Sequence, residues 1–442
     1  MKRVVVVGAG LGGLVLAHRL RRDAAGRVEV VLLERAGRAG GAVRSEWLDG
    51  VLCEHGPLTI PGDAPGLRAL VDETGLARAF RPAAEAAQRR WVLGRGRLHG
   101  FPAGRGALFA SGMLSVRGLL GLDRAAGAPA GDETLRDHAA RRAGRQFADT
   151  LVDGLAAEAF GGEAAALDAA TCVPALRERT GRLLDAVLPD GRQTLHAGLH
   201  SFDLGMQVLP DALAAALGPV LRLRTGARAV RKQAAGWTVA LQGGDALVAD
   251  HVVLATPPAE AAALLGPALR DDAARFLRGI PHATVDVLHL VLPEADVPGV
   301  LRLGTAAPVL VPGAEARAAG TTVLGVTPTR ALFPHHGPRD TVVLRALAGG
   351  ARGGAEEPLD EALRRATDEV TLLLGLRKAP RLLHGTRCRQ ALPQRAPGHA
   401  HSAEALQGAL VACPGVSVMG VGPPGLGEAL REAGALARTL MT

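Results

Sequence analysis

The chain reads as an α/β protein. Its core is a discontinuous Rossmann-like domain of the GxGxxG type, joined to a mixed-sheet second domain and a helical insertion. Three observations predict this. The run Val4 to Val7 is short, apolar and β-branched, as suits a strand that a parallel sheet buries on both faces. It ends in the turn Gly8-Ala9-Gly10-Leu11-Gly12-Gly13, which opens an amphipathic helix through Leu14, Leu16, Ala17 and Leu20. A second strand, Val28 to Leu33, then delivers Glu34. Each part has a physical task. Gly8 permits the tight turn, Gly10 lets a pyrophosphate approach the backbone, and Gly13 lets helix and strand pack closely. The helix N-terminus offers free N–H groups to phosphate, and Glu34 can accept from a ribose hydroxyl. GxGxxG alone would be weak evidence in a chain with 58 glycines. Strand, turn, helix, strand and acid in that order specify dinucleotide binding.

The identity of the dinucleotide follows from the next residues, Arg35-Ala36-Gly37-Arg38-Ala39-Gly40-Gly41. A Gly-Gly step here can set backbone N–H groups against the same pyrophosphate from its other side. GxGxxG, distal Glu and R-x-G-G together resemble the two-dinucleotide-binding-domain flavoproteins, which implies FAD. No His or Cys sits in a flavinylation motif, so the expected attachment is non-covalent.

Composition narrows the function classes. The chain has 442 residues, of which 48% are hydrophobic, enough for a large core and two or three domains. The net charge of +8 suits anionic substrates or anionic lipid headgroups. Aromatics make up only 2% and interleave with no basic run, which argues against nucleic acid. Cys53, Cys172, Cys388 and Cys413 are widely spaced and read as small buried hydrophobes in a reducing compartment. No Cys/His spacing suggests a metal, and His335, His336, His399 and His401 read as loop histidines. No run of about 18 uninterrupted apolar residues exists, so no membrane-crossing helix is expected. Lys2-Arg3 and Val4 to Val7 superficially mimic a signal peptide, but the apolar run is too short. The expected location is cytoplasmic.

Residues 1–85, 198–268 and 384–442 are expected to form the FAD-binding domain, and 86–103 with 269–383 the substrate domain. Residues 104–197 read as a helical insertion, with helices over 132–143 and 146–159. A helix begins near Met206 with Pro210 in its first turn, where its missing N–H costs nothing. Strands are expected at Trp237 to Leu241, Ala249 to Ala255, Thr284 to Leu292 and Thr341 to Leu347. The chain closes with a strand at Val416 to Gly420, a Gly/Pro-rich turn and a helix from about Glu428 to Leu440.

With these elements in order, the chain resembles the protoporphyrinogen/coproporphyrinogen oxidase family, nearly end to end. Glu54-His55-Gly56-Pro57 is similar to its E-x-G-P, and Arg89-Arg90-Trp91-Val92 with Gly96-Arg97-Leu98 and Phe101-Pro102 to its R-(F/Y)…G-x-L…(L/V)-P. Phe202-Asp203-Leu204-Gly205-Met206 resembles F-x-G-G-M, and Pro393-Gln394 with Gly398-His399 resembles P-Q-Y…G-H. Val309-Leu310-Val311-Pro312 matches a pocket segment. The resemblance implies oxidation of a porphyrinogen to the porphyrin, with O2 as acceptor and hydrogen peroxide as product. It assigns cofactor contacts to Gly8, Gly10, Leu11, Gly12, Gly13, Glu34, Arg35, Gly40, Gly41, Ala42, Gly56, Pro57, Leu58 and Thr59. It extends them to Ala229, Ala255, Thr256, Gly420, Gly425, Leu426 and Gly427. It assigns the tetrapyrrole to Arg90, as carboxylate anchor, and to Pro308, Leu310 and Leu347. It also implies a membrane-resting lobe, here carrying Leu108-Phe109 and Met113-Leu114 flanked by Arg105 and Arg117, and it leaves a homodimer open.

The chain departs from the family at Leu58, Pro308, Cys388 and Arg395. Its terminal Gly425-Leu426-Gly427-Glu428-Ala429-Leu430 is about two residues short of the family's G-x-G-x-x-D-C-I. The shortening predicts a helix start drawn back from the flavin, and Glu428 turned towards it. Three other readings share the cofactor domain: an amine oxidase, a desaturase or tailoring oxidase, and a catalytically weak flavin-binding homologue. The amine oxidase is disfavoured because its aromatic cage and water-binding Lys are poorly supplied by a chain with no Tyr and only Lys2, Lys232 and Lys378.

Overall fold

The computed structural model describes residues 1–24, 26–84, 90–100, 108, 111–120, 122, 131–174, 198–298 and 308–442. Two sheets organise it. The first has five parallel strands in the order Leu221–Arg222, Val28–Leu33, Lys2–Val7, His251–Leu254, Val416–Val418. Lys2–Val7 (β1), the Leu11–Asp23 helix (α1) and Val28–Leu33 (β2) form the expected N-terminal unit. β1, β2 and the His251–Leu254 strand are buried on both faces over most of their length, as their continuous apolar runs require. Val4, Val6, Val30 and Leu32 pack into one core with α1 and the Val208–Leu217 and Leu426–Met441 helices. Val5, Val7, Val31 and Leu33 enter a second core, beneath the antiparallel meander Ala227–Lys232, Trp237–Leu241 and Ala246–Ala249.

The second sheet is mixed and has seven strands. Their order is Arg381–Pro393, His282–Pro293, Thr341–Gly349, Val323–Pro328, Val309–Leu310, Trp91–Gly94, Arg97–Gly100. Only the Val309–Leu310 and Trp91–Gly94 pair is parallel. The Arg381–Pro393 strand stays in this sheet throughout its length, past the boundary expected at 384. Its sequence, RLLHGTRCRQALP, has no clean apolar alternation to reveal this. A short hairpin, Ser45–Leu48 (β3) with Val51–Glu54 (β4), bridges the two sheets and rests Val51 and Cys53 on Val291 and Val343.

In the helical lobe, Leu135–Ala143 is followed by a short helical turn, a π-helical turn over Ala148–Val152, and Asp153–Phe160. Leu108, Met113 and Leu114 are buried against Leu135, Phe147 and Leu151. They pack the lobe's own core, which corrects their reading as an apolar outer face. Local apolar content cannot tell a core from a membrane-facing side. Among the described residues of the lobe, the exposed large apolar side chains are Val116 and Leu120, beside Arg117. Arg89, Phe101, Pro102, Arg105 and Phe109 lie outside the described residues. Among the described residues no helix is long and apolar enough to cross a membrane.

Candidate functional site

The two glycine turns meet. Gly10 and Gly40 form a parallel bridge, and the Gly40 N–H donates to the Ala9 carbonyl at 2.8 Å. A Cβ on Gly41 would lie 3.0 Å from the Gly10 Cα, so the second turn tolerates no side chain where it crosses the first. A Cβ on Gly13 would lie 2.0 Å from the Gly8 carbonyl oxygen, and one on Gly8 2.6 Å from that of Ala255. Gly8, at φ +106°, is also in a conformation that L-residues rarely adopt. A Cβ on Gly10, by contrast, would meet nothing within 4 Å. Gly8, Gly13 and Gly41 are therefore demanded by the fold, whereas Gly10 keeps an open approach to the backbone.

Glu34 is aimed by that same backbone. One carboxylate oxygen accepts from the Ala9 N–H at 2.9 Å and the other from the Ala36 N–H at 2.8 Å. Arg38, which the sequence reading passed over in favour of Arg35, holds the second glycine turn. Its guanidinium donates to the carbonyls of Ala39, Gly41 and Val43. Arg35 is exposed and pairs with Glu260. Ala42 is exposed at the turn, and Gly56 packs so closely beneath it that a Cβ would lie 1.8 Å from the Ala42 carbonyl oxygen. Ala255 continues from the His251–Leu254 strand, and the buried Thr256 hydroxyl beside it has no hydrogen-bond partner. Ala229 lies on the first strand of the meander, next to a register shift.

Glu54 joins this cradle to the E-x-G-P segment. Its carboxylate is buried and accepts from the Met206 N–H and the Ser45 hydroxyl, each at 2.7 Å. Burial pushes its pKa up to about 7, against the lowering effect of those bonds and of Arg345. Arg345, itself buried, donates to the carbonyls of Glu54 and Gly56. Neither Ser45 nor Arg345 was legible in the sequence, because Ser45 reaches Glu54 only across the folded hairpin and Arg345 reaches it from a distant strand. Pro57, Leu58 and Thr59 follow half-buried, with Leu58 against Phe333.

The terminal turn differs from expectation. The last helix spans Leu426–Met441 and starts directly after Gly425 (φ +117°), two residues earlier than expected. Leu426 packs against the first core and so seats the helix start. Glu428 pairs with Arg431 on its own helix, so its charge is balanced locally. The helix start meets that of α1, where a Cβ on Gly12 would contact Met419 and Ala429, and Leu11 is buried alongside. Gly420, at φ +79°, donates its N–H to Glu432.

The residues assigned to substrate are less exposed than the sequence reading implied. Arg90 donates to Glu158 at 2.8 Å. Leu310 is fully buried between the mixed sheet and the lobe, with a Cβ on Gly154 falling 3.2 Å from its own. Pro308 is buried and its carbonyl accepts from the Trp91 N–H, while Leu347 is half-buried near Ala157 and Leu324. Two expected loop histidines are core residues instead. His399 opens the His399–Val411 helix and bonds the Val421 carbonyl, and His336 is buried on Phe333. Another set had no sequence signal: Glu46, His55 and His384 bring one ligand atom each to within 4.8 Å of one another.

A parallel βαβ unit with a two-sided glycine cradle and a distal carboxylate, beside a mixed substrate-type sheet, defines a dinucleotide-dependent oxidoreductase of the flavoprotein kind. The chain belongs to the family of flavin-containing amine oxidoreductases, whose model matches residues 11–403. Within it, the coproporphyrinogen III oxidase of Mycobacterium tuberculosis is 30% identical, the match covering 95% of this chain and 93% of that protein. Human protoporphyrinogen oxidase is 32% identical, with 90% and 89% covered. Among solved structures, an Exiguobacterium protein assigned as a protoporphyrinogen oxidase superposes with a TM-score of 0.83 at 20% identity, covering 100% of this chain and 98% of that one. Reduced UDP-galactopyranose mutase superposes at 0.76 and 15% identity, with 100% and 94% covered.

Proposed function

We propose that this protein is an FAD-dependent oxidase that converts a porphyrinogen, protoporphyrinogen IX or coproporphyrinogen III, to the porphyrin, reducing O2 to hydrogen peroxide. The observation that carries this reading is a glycine cradle suited to a dinucleotide in a chain whose porphyrinogen-oxidase relatives match over nine-tenths of its length. The residues fit the cofactor. The open face of Gly10 and the N–H groups of Gly40 and Gly41 would hold the pyrophosphate, and Glu34 a ribose. Non-covalently bound FAD would supply hydride acceptance and reoxidation by oxygen.

The chain's own residues bind and orient. Arg38 holds the carbonyls of the second glycine turn, which would leave its N–H groups for the cofactor. Glu54 and Arg345 lock the segment leading to Gly56, Pro57 and Leu58 against the Met206 turn. Arg90 would exchange Glu158 for a propionate, a charged contact worth about 1.5–3 kcal/mol. Pro308, Leu310 and Leu347 would form apolar pocket wall after local adjustment. The proposed site of action is the cytoplasm, with the lobe resting on the inner face of the membrane through Val116 and Leu120.

One observation favours a related oxidase acting on a different substrate. Arg395 stands where the family carries an aromatic residue, and among the described residues its buried guanidinium bonds the Gly420 carbonyl while Nε and Nη1 find no hydrogen-bond partner. Fluorimetric oxidation of both porphyrinogens by the FAD-loaded protein separates the two readings. Porphyrin formation with peroxide release supports the first. A loaded flavin that neither porphyrinogen reduces favours the second.

A further inference from the structure

The strongest unexplained cluster lies where the β3–β4 hairpin covers the edge of the mixed sheet. In the Arg381–Pro393 strand, His384, Thr386 and Cys388 alternate onto one face. His289, on the neighbouring strand, is directly opposite His384, and Arg345 is opposite His289 on the next strand in. The hairpin lowers His55 onto this row. The His55 ring meets that of His384 edge-on with centroids 4.8 Å apart, and that of His289 at 5.8 Å. Its backbone N–H bonds the Arg44 carbonyl, which extends the hairpin and puts Glu46 diagonally beside it.

We propose that Glu46, His55 and His384 bind a borderline divalent cation of the Zn²⁺ type, with Thr386 orienting the two imidazoles. Three arguments support this. The first is spacing. His55 Nε2 and a Glu46 oxygen stand 3.3 Å apart, and two ligands bonded at about 2.0–2.1 Å in a tetrahedron are separated by about 3.4 Å.

The second is hydrogen-bond bookkeeping. Thr386 Oγ lies 3.1 Å from His55 Nδ1 and 2.9 Å from His384 Nε2. It has one proton to donate, so it must accept from at least one ring. A partner that fixes the far nitrogen of a ligating imidazole is the usual support of a metal-binding histidine. The outward nitrogen of His55, Nε2, is buried and makes no hydrogen bond of good geometry despite the nearby carboxylate. A cation between them would satisfy His55 Nε2 and be balanced by Glu46, whose carboxylate also accepts from Arg44 at 3.3 Å.

The third argument is the surrounding shell. Arg345 anchors the carbonyls on either side of His55, fixing the height of the ring above the sheet. His289 lies beneath the row, and among the described residues neither of its buried ring nitrogens makes a well-formed hydrogen bond.

Two imidazoles and a carboxylate suit Zn²⁺, Co²⁺ or Fe²⁺ better than Ca²⁺ or Mg²⁺. Three protein ligands leave a position open, and the Glu46 side chain, 39% exposed, gives access from solvent. A purely structural polar cluster is the competing account, and it predicts no selective metal uptake.

The test uses the full-length protein as purified, stripped with chelator and titrated with Co²⁺ and then Zn²⁺. Expected results are one equivalent bound, a tetrahedral-type Co²⁺ visible spectrum and displacement by Zn²⁺. His384→Ala and Glu46→Gln should each weaken binding at least tenfold, whereas His401→Ala, an exposed histidine, should not. Circular dichroism and the melting midpoint check that each variant folds. Glu46→Gln, at the rim, carries the test if His384→Ala does not. No saturable binding by the wild type, or equal affinity in wild type and Glu46→Gln, would overturn the proposal. These readouts are independent of oxidase activity and therefore of the functional reading above.

Discussion

Arg90 and Glu158 form a 2.8 Å ion pair that ties the segment leading into the Trp91–Gly94 strand to the Asp153–Phe160 helix of the lobe. An arginine that is to anchor a substrate carboxylate must release this one. Arg90→Ala should retain flavin yet bind porphyrinogen about 10–100-fold more weakly, the loss of one charged hydrogen bond. Glu158→Gln should act in the opposite direction and tighten binding, because it removes a competing carboxylate. Equal Kd values in all three proteins, read by fluorescence quenching at low and high salt, would return the pair to a purely structural role.

Gly10 and Gly13 separate binding from folding. Gly10 is at φ −66°, which any residue adopts, and a Cβ there meets open space. Gly10→Val should therefore melt near the apo wild type while binding FAD at least tenfold more weakly. Gly13→Ala should fail to fold stably, because its Cβ would lie 2.0 Å from the Gly8 carbonyl. FAD titration together with thermal melts distinguishes the two effects. A Gly10→Val protein that holds flavin normally would remove the basis for the cradle.

Glu54 gives stability a pH signature. Its pKa is raised to about 7 in the folded protein, so between about 4.5 and 7 it holds a proton that the unfolded chain has lost. The contribution is present in full below about 4.5 and is lost as pH rises to 7, up to about 3 kcal/mol. Glu54→Gln should flatten that part of the profile in urea melts of the apoprotein. An unchanged slope would mean that Glu54 ionises normally.

Two exposed apolar residues in the described part of the lobe make a membrane test specific. If Val116 and Leu120 meet the bilayer, the wild type should float with anionic liposomes and Val116→Glu/Leu120→Glu should not, with no change in melting. Wild type left wholly in the soluble fraction would exclude this contact.

Much of the cofactor region was legible because its signals are local. A strand, a glycine turn, a helix and an acid follow one another within 34 residues, and Gly13 is required by contact with Gly8 in the same turn. Glu54 was legible only as part of a motif. That it reaches the Met206 N–H is a fact of tertiary structure, as is the hold of Arg345 on both sides of His55. The start of the last helix was misjudged because Leu426, read as part of a loop, has a core to pack against.

The sequence by itself determined the parallel βαβ unit, the order of the motifs and the flavoprotein family, since backbone conformation and apolar periodicity are properties of adjacent residues. Only the tertiary structure decided which apolar residues of the lobe face inward and which histidines are buried. It alone decided that Arg90 is already paired and that residues 46, 55 and 384 meet. Such relations depend on which strands become neighbours, and side chains hundreds of positions apart leave no mark on each other's local pattern.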